Sequence, residues 1–165
     1  MATKDQEEKW LGQHIPHRVK AVMARLSLQE NLIRSVGESH RAKITSSCDD
    51  SAIAQGRLAA IRWLIEFVGI ADLKGKPARP RQGPFDISIT QLTGGKEIAL
   101  SSPEAEELRK VWKGCAQANG HPTDGSCHPP VEPKELESAI GIIMTHLDST
   151  IYAVAGKRLD DALSA

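Results

Sequence analysis

The residues 115–130, CAQANGHPTDGSCHPP, carry two of the chain's three cysteines and two of its six histidines. Thiolates and imidazoles are the natural ligands of zinc, so Cys115, His121, Cys127 and His128 form a candidate metal set. Zinc wants three or four such ligands roughly 2 Å away, usually delivered as close pairs from a tight turn. The segment has no C-x-x-C pair, and adjacent Cys127 and His128 cannot easily aim at one ion from regular backbone. A cysteine nucleophile with a histidine base is a second use, but such partners usually come from distant parts of a chain. The simpler reading is a helix stopped by Gly120 that runs into a Pro-rich polar loop. Held by Pro122, Pro129 and Pro130, the side chains of His121, Asp124, Ser126 and His128 are candidates to line a ligand pocket beside Trp112.

Carboxylates offer another chemistry. Glu104-x-x-Glu107 puts two acids on one helical face, where they could hold magnesium. The pair resembles the E-x-x-E of helical nucleotide pyrophosphohydrolases, which add an E-x-x-D pair on the next helix. No E-x-x-D occurs in this chain. First-turn acids that complement a helix dipole explain the same residues without a metal. His14-x-x-His17 has metal spacing too, but Pro16 interrupts the turn and no carboxylate follows at ligand distance. His146, between Met144 and Leu147, reads as a core-edge histidine.

Phosphate-binding glycine motifs are missing: there is neither G-x-x-x-x-G-K-[ST] nor G-x-G-x-x-G. Lys plus Arg and Asp plus Glu are 21 each, so bulk attraction to nucleic acid or an anionic membrane is not expected. Two stretches are nonetheless locally basic. Residues 17–43 hold Arg18, Lys20, Arg25, Arg34, Arg41 and Lys43, and residues 74–81 hold Lys74, Lys76, Arg79 and Arg81. Together they could meet phosphate or an acidic surface.

The elements that position these groups follow from periodicity and caps. A length of 165 residues suits a single domain over 1–165 that needs neither disulfides nor metal for its core. Thr3-x-x-Gln6 is a capping box, and Pro16 suits a helix's first turn. Val19, Val22, Met23 and Leu26 share one helical face, and Leu28, Leu32 and Val36 suggest a further short helix. The helix 51–70 is apolar over more than half its circumference, which makes it central, with Gly56, Ala59 and Ala60 allowing close approach and Gly69 as its stop. Residues 74–84 form a basic, Pro- and Gly-rich exposed linker. Alternation in FDISITQL, then a Gly94-Gly95 turn and EIAL, predicts a β-hairpin over about 85–100. Ser101 or Ser102 caps the next helix, whose inner face is Ala105, Leu108, Val111, Trp112 and Cys115. Leu136, Ile140, Ile143, Leu147 and Val154 stripe the last long helix, which Gly156 ends.

The expected fold is therefore mainly helical α+β: four to five helices packed around two apolar central ones, plus one hairpin. A charged N-terminus and no long apolar run predict neither a signal peptide nor a membrane span. Three cysteines in 165 residues suit a reducing cytoplasm. The expected function is a non-enzymatic binding or adaptor protein, a homodimer with a small-molecule cleft near 121–130 and no cofactor. The alternatives are a hydrolase of a phosphorylated metabolite, dependent on zinc or magnesium, and a nucleic-acid-associated protein using the basic segments.

Overall fold

The computed structural model describes residues 2–23, 48–81, 83, 87–120 and 131–164. The further helix expected over 28–36 and the 121–130 loop lie outside them.

Thr3 opens the first helix, α1 (Lys4–Lys9), with the capping box that its sequence predicts: Gln6 N–H donates to Thr3 Oγ1 at 3.3 Å and Thr3 N–H to Gln6 Oε1 at 2.9 Å. Pro16 does not begin a separate helix. A π-turn over Trp10–His14 carries the chain straight into α2 (residues 15–23). The reason is local: Ile15 N–H bonds Trp10 O, five residues back, and Pro16 has no N–H to give. Leu11 O is thus claimed by neither. The hydroxyl of Tyr152, fully buried, donates to it at 2.7 Å.

α3 (Cys48–Phe67) is the central helix. It buries Ala60, Ile61, Leu64, Ile65 and Phe67. Gly56 and Ala59 are exposed, so only Ala60 serves the close packing expected of the three. Gly69 N–H bonds Glu66 O and Ile70 N–H bonds Ile65 O, a Schellman stop. Gly69 has φ +91°, and a Cβ there would lie 2.7 Å from Glu97, so glycine is required twice over.

Among the described residues the sheet is a single antiparallel hairpin, β1 (Ala71–Leu73) and β2 (Lys76–Ala78), paired Leu73 to Lys76, Asp72 to Pro77 and Ala71 to Ala78. Its place corrects the expectation. Lys74 and Gly75, both at positive φ (53° and 81°), form the two-residue turn. The start of the expected linker is therefore that turn and a strand. Pro77 is tolerated because its pair with Asp72 adjoins the bonded Leu73–Lys76 pair and needs no N–H from it. Within the expected 85–100 hairpin, Ile89–Gln91 instead make a 3-10 turn. Ile89 and Leu92 are both buried, a three-residue step that suits a tight helical turn as well as alternation suits a strand.

α4 (Pro103–Gly120) starts at Ser102, whose Oγ accepts Ala105 N–H at 3.2 Å. It packs against α3, both strands and α5 (Pro133–Leu147). α5 runs on through a second π-turn, Asp148–Tyr152, to a Schellman stop at Gly156. Asp148 Oδ1 then accepts Leu159 N–H at 2.9 Å, fastening α6 (Leu159–Ser164). Leu108, Val111, Ile143, Leu147 and Ile151 join the α3 stripe in one core. The mainly helical α+β class with one hairpin holds. Among the described residues no helix is long and apolar enough to cross a membrane.

The Tyr152 bond is open to measurement. Tyr152→Phe leaves Leu11 O buried without its donor, and should cost about 1–3 kcal/mol. An unchanged urea midpoint would show that the bond does not fasten the fold. Tyr152 is the one tyrosine, so absorbance at alkaline pH reports it alone. Burial pushes its phenol above the ordinary value, with Asp148 adding to the shift. The folded protein should keep it protonated past about pH 10 and lose stability as pH rises beyond that point, because only the unfolded chain releases the proton there.

Candidate functional site

Because α4 and α5 run antiparallel, the first turn of α4 meets the last turns of α5. Between them lies a groove of ≈ 500 Å³. α5 supplies a second stripe, distinct from its core stripe: Ile142, Thr145, His146 and Ser149, at i, i+3, i+4 and i+7. The facing wall is Ile98, Ala99, Ser102 and Glu104. Gly141 lies on the α5 side, and a Cβ added there would meet nothing within 4 Å.

Each polar group has a defined state. Glu104 is exposed, and its carboxyl is held below the usual range by its own backbone N–H and by Ser102. It is therefore an anion at neutral pH. His146 Nε2 lies 2.6 Å from Lys96 O, and a carbonyl only accepts, so Nε2 carries the proton. That bond ties the 96–99 segment to α5. Ile98 N–H bonds Val68 O, and Arg79 reaches Gly69 O (2.8 Å), Ile98 O (2.9 Å) and Glu97 (2.9 Å). The wall is thus pinned to the end of α3 as well. The groove combines a fixed anion, hydroxyls, an imidazole edge and an apolar floor.

Glu104 is the expected site residue that reaches this groove. Glu107, half-buried, is not in its lining. Among the described residues no three His, Cys, Asp or Glu side chains gather where one ion could bind. His121, Asp124, Ser126, Cys127 and His128 lie outside the described residues. The ends of α4 and α5 that flank them in sequence, Gly120 and Pro133, are the ends away from the groove.

Trp112 and Cys115 are placed, and both work within the α3–α4 contact. Trp112 Nε1–H donates to Glu66 Oε1 at 2.7 Å, Arg62 Nε donates to the same oxygen at 3.0 Å, and the Arg62 guanidinium lies 4.8 Å from the indole centroid. Cys115, one turn on, is fully buried, and burial pushes its thiol up to about 12. It is a packed, protonated thiol at neutral pH.

Sequence reasoning missed the most buried charge. Arg109, 9 % exposed, donates to Asp72 at 2.6 Å and doubly to Glu106 at 2.6 and 2.9 Å. The pairing locks β1 onto α4. Only Glu106–Arg109, at i, i+3, was visible in the pattern. The signal for the groove was the second α5 stripe, beginning at Ile142.

No protein family, curated protein or solved structure matches this chain.

Two outcomes follow from these environments. With Cys48 and Cys127 changed to serine, Cys115 should resist an aromatic disulfide reagent in the native state and react at once in denaturant. Prompt native labelling would contradict its burial. The Arg109 guanidinium beside Asp72 holds that carboxyl below the ordinary range. Asp72→Asn should therefore destabilise the protein at neutral pH, and its deficit should shrink as pH falls below about 4, where wild-type Asp72 takes up its proton. A deficit that persists at acid pH would point to packing instead of charge.

Proposed function

We propose that this chain is a non-enzymatic binding protein that associates with itself and holds a small amphipathic amine in the α4–α5 groove. One observation carries the reading: an anion, Glu104, stands at the rim of a groove otherwise lined by apolar side chains, hydroxyls and the His146 ring, whose volume, ≈ 500 Å³, suits a small ligand. An ammonium group would pair with Glu104 and the hydroxyls of Thr145 and Ser149 would take further polar contacts. The hydrocarbon would lie on Ile98 and Ile142, and bare backbone at Gly141 leaves it room. Self-association is a separate part of the proposal and rests on the broad apolar stripe of the last long helix and on the small size of the hairpin, which is marginal alone.

Calorimetric titration with primary amines from butylamine to octylamine tests the ligand class. Affinity should rise with chain length, and the matching alcohols should bind more weakly by about tenfold, or 1.4 kcal/mol. Glu104→Gln should erase the difference between amine and alcohol. Gly141→Phe should fill the groove and abolish binding while leaving the fold intact. If no amine binds, or if Gly141→Phe binds as well as wild type, the reading is wrong. A monomeric mass by light scattering at micromolar concentration would remove the self-association.

A further inference from the structure

A different part of the molecule presents the opposite charge. The outer face of the first helical run, with Ala162 of α6 opposite, lines a groove of ≈ 440 Å³. His14, His17, Arg18 and Lys20 all reach it, and among the described residues no acid is in its lining. They are exposed because Leu11, Ile15, Val19 and Val22 take the inward positions of the same helix. The chain as a whole has no net charge, so a groove with only basic groups is a local concentration. Of the nearby acids on α6, Asp160 pairs with Arg158 at 3.6 Å, and neither it nor Asp161 lines the groove.

Two of the basic groups are held in position before any ligand arrives. The Arg18 guanidinium lies 5.1 Å from the Trp63 ring centroid, and the His14 ring lies 4.9 Å from Trp10. Those indoles stack on each other at 5.7 Å and both on buried Phe67, at 5.2 and 5.8 Å. A long cationic side chain that rests on a rigid ring loses less freedom when it closes on an anion. Gly12 and Ala162 keep the centre of the groove open, and a Cβ at Gly12 would meet nothing within 4 Å.

We propose that this groove is a binding site for a small organic phosphate, gripped by Arg18 and Lys20 with N–H donors from His14 and His17. Guanidinium and ammonium groups pair with phosphate oxygens through short charge-assisted bonds. The aromatic shelf argues for a small non-aromatic phosphate over single-stranded nucleic acid. Its rings are already engaged by each other, by Arg18 and by His14, which counts against bases stacking on them. The site is independent of the amine groove, and either can fail alone.

The probes are inorganic pyrophosphate and glycerol phosphate, titrated at constant ionic strength and followed by heat and by tryptophan emission. Trp63 lies beneath Arg18, so an anion that pairs with Arg18 on the ring should change that emission. Saturable binding is expected, with sodium chloride giving no response. Arg18→Gln with Lys20→Gln should weaken it by at least roughly tenfold, and Gln13→Glu, which adds an acid to the lining, should act in the same direction. Gly12→Leu should plug the groove, and Lys110→Gln, on α4, should change nothing. Circular dichroism checks that each variant is folded. The proposal is overturned if neither phosphate saturates, if Lys110→Gln weakens binding as much as the paired variant, or if an oligonucleotide binds where the small phosphates do not.

Discussion

A backbone carbonyl without an in-helix partner sets the terms for much of this fold. Pro16 removes the N–H that could have met Leu11 O, and the π-turn sends Ile15 N–H elsewhere. Buried, that oxygen is costly unless a donor arrives from another element. The donor is Tyr152, itself inside the second π-turn, 141 residues away in sequence. Two irregular helical turns thus meet at one hydrogen bond, which joins the two ends of the chain across the core. The same second turn offers Asp148 to cap α6, so the C-terminal helix depends on that region too.

Charge plays a narrower part, and it acts at the seams between elements. Arg79 closes the end of α3 onto the segment that walls the groove, and Arg109 closes the hairpin onto α4. In each case an arginine fork spans more than one partner, three for Arg79 and two for Arg109, a geometry that lysine cannot copy. Arg109 is flanked by Asp72 and Glu106, so the charge is compensated where it is buried. The two arginines do what a larger sheet would otherwise do: a two-stranded hairpin is marginal alone and needs an outside hold.

Much of the helical architecture was legible in the residues. Thr3, Ser102, Gly69 and Gly156 mark helix ends by chemistry local to a few residues, and each stands where its type predicts. The inner stripe of α4 was equally plain, and so was that of α5 as far as Leu147; Val154, expected to continue it, is exposed, because the π-turn takes up one residue and Ile151 and Tyr152 hold the inward positions. What failed was a choice between two short signals. FDISITQL alternates, yet Ile89 and Leu92 also fit one tight turn, and tertiary contacts decided for the turn. Lys74-Gly75 was hidden in a basic, Pro- and Gly-rich stretch that reads as a linker, and a lysine at positive φ is an uncommon turn residue. The π-turns could not be told from the periodicity alone: each takes up one residue and moves the pattern beyond it out of step. For the sites, Glu104 and the local basicity of Arg18 and Lys20 were visible. Their neighbours in space were not, because His146 and Ala162 come from distant segments.

A π-turn is an α-helix that has taken in one residue more than its winding needs. Losing one residue from Asp148–Tyr152 would close the wide turn into regular α-helix, and the segment beyond would keep its facing. A deletion in the regular part of α5 has no spare residue to draw on, and would turn everything after it by about 100°. The irregular turn is therefore where this long helix has slack in length, and the regular turns before it are where it has none.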